Sequence, residues 1–475
     1  MTPERLAALV NARVAVIGDV MIDEYLTGRV DRISPEAPVP VVRGVELTSV
    51  AGGAANVAAN VAALGAEVRL VGVVGRGGAV EVEALIAAKG RAQALLVEDS
   101  SRRTIRKMRV ISNHQQIVRL DHEDLHPLSG EIEAALIAAA ERAIAASDVV
   151  VLSDYGKGLF SDHALAAIIG AAKAAGKPVV VDPKRPQFSA YRGADVVTPN
   201  RSELARASGL PVDTDEQALA AAGVARAQFG GALLLTRSEQ GMTFYPLEGP
   251  PIHAATAARE VFDVSGAGDT VVATLAAALA AGFTMQEAIP LANQAAGVVV
   301  GKAGTATLTL RELIEAMHAP PESGALASWD EARRLREAWG RQGLSVGFAN
   351  GCFDLLHPGH VALIGAAAAA CDRLIVALNS DASTRRLKGP QRPAQSELAR
   401  ATVMGALKGV AAVVIFDEDT PQALIGQLQP DVLVKGADYR IEDVVGADVV
   451  QARGGRVLLV ETVAGHSTTR LLAAR

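Results

Sequence analysis

Four short apolar runs, Val149-Val-Val-Leu152, Val179-Val-Val181, Val196-Val-Thr198 and Ala232-Leu-Leu-Leu-Thr236, alternate with helix-like segments at 162–175, 201–208 and 216–229. No other feature limits the fold as much. Runs of β-branched and aliphatic residues without polar alternation suit strands buried on both faces. Such strands separated by helices form βαβ units on a parallel sheet, whose ligands bind beyond the carboxyl ends of the strands. Each run gives way to polar residues: Ser153-Asp154-Tyr155 with Lys157, Asp182-Pro-Lys184, Asn200-Arg-Ser-Glu203, and Thr236-Arg-Ser-Glu239 with Gly241.

Upstream, Val14-Ala-Val-Ile-Gly18 reads as a buried strand whose end carries Asp19 and, further on, Asp23. Gly52 and Gly53 open an alanine-rich helix to Leu64 and leave the backbone open to close approach, while Asn56 offers a donor and an acceptor suited to sugar hydroxyls. Close packing of that helix start on the sheet explains the same residues. Strand and helix follow at 69–74 and 80–89, then two half-exposed strands at 104–110 and 116–120. The first of these crowds Arg102, Arg103, Arg106, Lys107 and Arg109, which is either a solvated face or a grip on an anionic group.

Asp263-Val-Ser-Gly-Ala-Gly-Asp-Thr270 joins a glycine turn to the start of an apolar helix. Amides at Gly266, Ala267 and Gly268 would lack helical partners there and, with the helix dipole, suit phosphate oxygens. Asp269 repels a phosphate in that place, so it either stabilises the first turn or accepts a proton from a hydroxyl that attacks the phosphate.

The stretch Ala319-Pro-Pro-Glu-Ser-Gly324 reads as a linker, followed by a charged helix at 329–342 and a strand at 344–349. Then comes Asn350-Gly-Cys-Phe-Asp-Leu-Leu-His-Pro-Gly-His360. His357 and His360, three apart at a helix start, can donate to a phosphate that Gly359 lets approach; a metal pair would need a third ligand, and none occurs downstream at matching spacing.

At 475 residues the chain allows two to four domains. Hydrophobic residues are 50% but aromatics 3%, so alanine, valine and leucine build the cores. A net charge of −6 argues against a general binder of nucleic acid or membrane surfaces. Cys352 and Cys371 show no metal spacing, Pro3–Val10 is helix-like rather than a signal region, and the apolar run from Val361 stops at Cys371-Asp372-Arg373; a reducing, cytoplasmic setting is expected.

Gly52-Gly53 with Asn56, Thr198-Pro-Asn-Arg-Ser-Glu203 and Asp263–Thr270 stand in the order and spacing of the ribokinase-like carbohydrate kinases, and the resemblance covers about residues 12–318. It implies Asp269 as base, residues 266–268 as anion hole, and Asn200, Arg201, Ser202, Glu203, Thr236, Ser238 and Gly241 around ATP and Mg²⁺. It further implies Asp19, Asp23, Gly52, Gly53, Asn56 and Lys157 around the sugar, a monovalent cation at the kinase site, and a homodimer through that domain; a phosphorylated sugar would also need a cation, for which Arg106 is the expected residue. Magnesium would be held through ATP phosphates near Asn200 and Glu203, without a dedicated protein cage. Gly75-Arg-Gly-Gly78 departs from the family in lacking its acidic residues there.

Residues 345–475 resemble the nucleotidylyltransferases, which implies His357 and His360 at the nucleotide phosphates with Asn350, Phe353, Asp354, Asp381, Lys388, Arg392, Arg400, Lys435, Ser467, Thr468 and Thr469 around the transfer site. The expected architecture is a ribokinase-like α/β domain with a small β-strand lid (1–318), a linker and connecting helix (319–344), and a Rossmann-like α/β domain (345–475). The pair, with Arg32-Ile-Ser-Pro-Glu-Ala-Pro-Val-Pro40 and Leu152-Ser-Asp-Tyr-Gly-Lys157, resembles the bifunctional bacterial enzymes of ADP-heptose synthesis. That implies heptose phosphates and ATP as substrates. His-x-Gly-His does not specify the base, so another sugar or CTP stays open, and a sensor that has lost catalysis would be expected to lack Asp269 or a histidine.

Overall fold

The computed structural model describes residues 2–112, 115–256, 262–302, 304–318, 325–437 and 440–461, in two compact units, 1–318 and 319–475. The sheet of the first unit has nine strands in the order Ile252–Ala254, Met242–Tyr245, Ala232–Thr236, Val196–Val197, Val179–Asp182, Val149–Ser153, Arg13–Gly18, Glu67–Val74, Ala92–Glu98. Seven run parallel, and Met242–Tyr245 and Ile252–Ala254 close one edge antiparallel. Residue parity shows why these strands read as continuous apolar runs. Val14, Val16, Val149 and Val151 face one helical layer, and Ala15, Ile17, Val150 and Leu152 face the other. Small side chains let helices sit deep in the first layer: Ala54–Ala63 buries nine of its ten residues, and Ala267–Ala280 is buried from Asp269 to Ala278.

A second, four-stranded sheet, ordered Pro40–Gly53, Val20–Ile33, Ile105–Ser112, Gln115–His122, is the expected lid. Its long hairpin, 20–33 with 40–53, escaped the sequence reading. It is buried only at its root and exposed toward its tip, so neither apolar period is sustained along it.

The second unit is a six-stranded, all-parallel sheet in the order Ala325–Ala327, Val410–Phe416, Arg373–Asn379, Val346–Gly351, Val432–Gly436, Arg456–Val460. The sequence left open where the helix after the linker docks. Helix Trp329–Arg341 packs in this unit, with Ala332 and Trp339 in its core, the Trp329 indole donating to the Ile415 carbonyl at 3.0 Å, and Arg336 on Asp431 at 2.9 Å. Among the described residues no helix is long and apolar enough to cross a membrane.

Candidate active sites

The strand ends of the first unit open into a cleft of about 350 Å³, in the range that holds a small ligand. Asp154, Asp182 and Lys184 line it from the strand ends, Asn200, Glu203 and Thr236 from beyond them, and Gly266, Gly268 and Asp269 from the start of the apolar helix. Gly266 caps that helix at φ 78°, a conformation that favours glycine. The Ala267 amide makes one long bond, 3.3 Å, to the Val264 carbonyl.

Asp269 is 5% exposed. Burial pushes its carboxyl up to about 6; hydrogen bonds from Tyr155 and Asn56 pull it back, Asp23 pushes it further up, and Lys107 pulls it down. The Tyr155 hydroxyl donates to one carboxylate oxygen at 2.6 Å and the Asn56 amide to the other at 2.6 Å. Behind Asn56 a polar chain continues: Asn60 donates to the Asn56 side-chain oxygen at 3.2 Å, and the Thr270 hydroxyl donates to Asn60 at 3.2 Å. Asn56, read as a sugar contact, therefore spends its amide group on holding Asp269 and Asn60.

Asp19 is buried, and that burial, then the neighbouring Asp154 charge, raises its carboxyl to about 6. It receives the backbone N–H groups of Tyr155 at 2.8 Å and Lys157 at 3.2 Å. Neither Gly52 nor Gly53 has room for a side chain: a Cβ at Gly52 would lie 2.5 Å from Asp23 Oδ2, and one at Gly53 2.6 Å from the Asp19 backbone carbonyl oxygen.

The arginines of the basic strand are engaged in ion pairs. Arg106 is held by Glu24 and Glu81, Arg109 by Asp23 at 2.6 Å, Arg102 by Asp99 at 2.9 Å and Arg103 by Asp124 at 3.0 Å. Each guanidinium has a carboxylate partner, so Arg106 would have to exchange Glu24 or Glu81 for a substrate phosphate in order to grip one. Strand alternation sets Lys107 on the opposite face from Arg106. Lys107 pairs in register with Asp23, and burial, then the Lys157 charge, lowers its ammonium below the ordinary lysine value. Lys157 itself pairs with Glu123 at 2.6 Å. Position beyond a strand end was the signal for Asp182 and Lys184, and for Tyr155 together with the Leu152–Lys157 stretch; Lys107 was read only as one cation of the basic strand, and Asn60 was not singled out.

Asn200 and Glu203 form a reciprocal capping box on helix Arg201–Ser208, which explains their spacing. The Asn200 side-chain oxygen also accepts from Ser202 at 2.8 Å, and the second Glu203 oxygen holds Lys184 at 3.0 Å. Arg201 turns to Gln240 and Glu239. Ser238, at φ 52°, and Gly241, at φ 79°, shape the hairpin after Thr236 and are not among the residues lining the cleft.

In the second unit, strand Val346–Gly351 leads into helix Pro358–Ala369, which His357 caps. The His357 and His360 rings stack with centroids 3.7 Å apart, and Phe353 meets His360 edge-on at 5.0 Å. A Cβ at Gly359 would stand 3.1 Å from the His357 ring. Burial, then the His357 charge, lowers His360 to about 4, so its imidazole is neutral near pH 7. Lys435 reaches the Asn350 carbonyl at 3.5 Å, and Lys388 is exposed at the end of its helix.

Two other cations expected at this site have structural partners instead. Arg392 is held by the buried Asp354, which also accepts the Ala394 amide at 2.6 Å. Arg400, 2% exposed, donates to Asp381 at 2.8 Å, the Cys352 carbonyl at 2.6 Å and the Gln395 carbonyl at 3.1 Å. Its donors tie the histidine loop to Asp381. Ser467, Thr468 and Thr469 lie outside the described residues.

Residues 11–312 match the pfkB family carbohydrate kinases, and residues 348–470 match the cytidylyltransferase-like family. The chain is 56% identical to the bifunctional protein HldE of Azorhizobium caulinodans, covering 98% of this chain and 99% of that one. It is 54% identical to the bifunctional protein HldE of Gluconobacter oxydans, covering 97% of each. The structure of Arabidopsis thaliana ribokinase complexed with ribose and ATP aligns with a TM-score of 0.50 at 21% identity, over 65% of this chain and 99% of that one, a likeness of fold. With both catalytic folds present and the whole length matched at such identity, the chain belongs to the HldE family and is a bifunctional enzyme, a heptose kinase and adenylyltransferase on one polypeptide.

Proposed function

We propose that Asp269 is the base with which the first unit phosphorylates D-glycero-β-D-manno-heptose 7-phosphate at its anomeric hydroxyl, and that His357 and His360 serve AMP transfer in the second. The observation that carries the kinase half is the placement of Asp269. It is a buried carboxylate, raised to about 6 and oriented by two donors, at the N-terminus of a helix in a cleft large enough for a small ligand. A base near that value is ionised at pH 7 yet still able to take a proton. Asp269 accepts the anomeric proton as the sugar oxygen attacks the γ-phosphorus of ATP and ADP leaves. The helix start at 266–268 faces the charge of the transferred group. Oxygen donors on Asn200, Glu203 and Asp182 suit a hard divalent cation that keeps several of its waters. Bound there with ATP, Mg²⁺ would offset phosphate charge. Because Asn200 and Glu203 already cap their helix, they would reach it through water and the ATP phosphates.

In the second reaction a heptose 1-phosphate oxygen attacks the α-phosphorus of ATP, the α–β phosphoanhydride bond breaks, and ADP-heptose and pyrophosphate form. The imidazoles donate hydrogen bonds to the nucleotide phosphates, with Lys435 and Lys388 supplying positive charge. The same reading places the product in lipopolysaccharide core synthesis, in the cytoplasm. It also makes the enzyme a homodimer through the first unit, where strand Gln115–His122 is exposed along its length at the edge of the lid sheet.

Product analysis tests both halves. With ATP and Mg²⁺, the parent should convert heptose 7-phosphate to the 1,7-bisphosphate and heptose 1-phosphate to ADP-heptose. Asp269→Asn should lose only the first product, by about 10³-fold or more, and His360→Asn only the second. Bisphosphate formation by Asp269→Asn at the parent rate would remove Asp269 from the base role.

A further inference from the structure

Both oxygens of Asp269 are engaged, and the two donors differ in kind. Asn56 comes from a helix that buries nine of its ten residues and is itself held by Asn60. Tyr155 comes from a loop, yet that loop is pinned. Its backbone N–H and that of Lys157 both donate to Asp19, Gly156 N–H donates to Asp154 at 2.8 Å, and Tyr191 donates to the other Asp154 oxygen at 2.8 Å. Gly156 and Gly158, at φ 65° and 86°, give the turn its shape. The Tyr155 hydroxyl is thus delivered to Asp269 by fixed backbone, and a phenylalanine would fill the same space without donating.

We propose that Tyr155 is a positioning residue for phosphoryl transfer, whose hydroxyl fixes the orientation of Asp269 and, by donating to its ionised form, sets the pH above which the kinase works. The proposal rests on the reading of Asp269 as the base. A donor to a carboxylate favours the charged form and lowers its pKa. Burial and the neighbouring charges of Asp269, Asp182 and Asp23 hold the Tyr155 phenol well above its ordinary value, so it stays protonated and donating. The other groups acting on Asp269 are the Asn56 amide, Asp23 and Lys107 from the lid strands, and Asp182 at the end of its strand. A substitution at Tyr155 leaves all four in place.

The test is the pH profile of kinase kcat/KM for heptose 7-phosphate at saturating ATP, in the full chain, for the parent, Tyr155→Phe and Asp269→Asn. ADP-heptose formation calibrates enzyme concentration, and a melting curve checks the first unit. The sugar phosphate titrates near pH 6 as well, but identically in every variant. Tyr155→Phe should move the acid limb upward by about one pH unit, lowering the rate near pH 6 about fivefold, with a plateau near pH 8.5 within about threefold of the parent. Replacing Tyr155 by 3-fluorotyrosine, a stronger donor of the same shape, should move the limb downward, and this arm decides the matter if the phenylalanine variant melts early. An unmoved limb in both variants, with or without a uniform loss of rate, overturns the proposal while leaving Asp269 as base. Kinase activity in Asp269→Asn overturns the base reading and this proposal with it.

Discussion

In the base role proposed for Asp269, function and stability would pull in opposite directions. Its carboxyl is raised from 3.8 to about 6, so the folded first unit holds that proton more tightly than the unfolded chain does. The group costs nothing below pH 3.8, where both states are protonated. Its cost grows as pH rises through about 6 and is complete above it, at most about 3 kcal/mol for a shift of about two units. Asp269→Asn is therefore expected to raise the melting temperature of the first unit at pH 8, with the gain shrinking as pH falls toward 4. Calorimetry at the two pH values checks the sign. The bound is an upper one, because an asparagine has one acceptor oxygen for two donors. At this scale the sequence marked the acid but not its holders. Asn56, read as a sugar ligand, and Arg106, read as a phosphate ligand, have partners across the fold that the sequence did not show.

At the scale of elements, both sites use helix starts that glycine makes accessible. Gly266 combines φ 78° with a close approach, since a Cβ there would lie 3.0 Å from the Asn56 amide nitrogen that holds Asp269. Gly266→Ala is expected to cost about 1–2 kcal/mol of backbone strain. By displacing Asn56 it should lower kinase kcat about tenfold or more, with adenylyl transfer unchanged; paired assays on one preparation measure both. Capping likewise has two readings in one motif. Asn200-Arg-Ser-Glu203 was read as an ATP contact from its resemblance to the kinases, and in the structure it is the capping box that starts its helix. Strands buried on both faces were legible because their composition is uniform. The lid hairpin was not, because its environment changes from root to tip.

For the whole molecule, we place the domain boundary before residue 325 rather than at 345. Strand Ala325–Ala327 pairs with Val410–Phe416, and Ala332 and Trp339 fill the core of the second unit. Removing a buried tryptophan costs about 3–5 kcal/mol, a large share of the 5–15 kcal/mol that stabilises a domain. A fragment of residues 320–475 should melt cooperatively and form ADP-heptose, and one of 345–475 should not. Equal melting of the two would return the boundary to 345. The sequence by itself determined what depends on short-range pattern: two α/β domains, the strand ends that carry chemistry, the helix start at Asp269 and the histidine pair. Those arise from residue periodicity and from motifs a few residues long. Tertiary structure alone decided which charge meets which: Arg106 with Glu24 and Glu81, Arg400 with Asp381, and Tyr155 with Asp269. Such pairings join residues 19 to 114 positions apart, and a buried charge is governed by the partner the fold brings to it rather than by its neighbours in the chain.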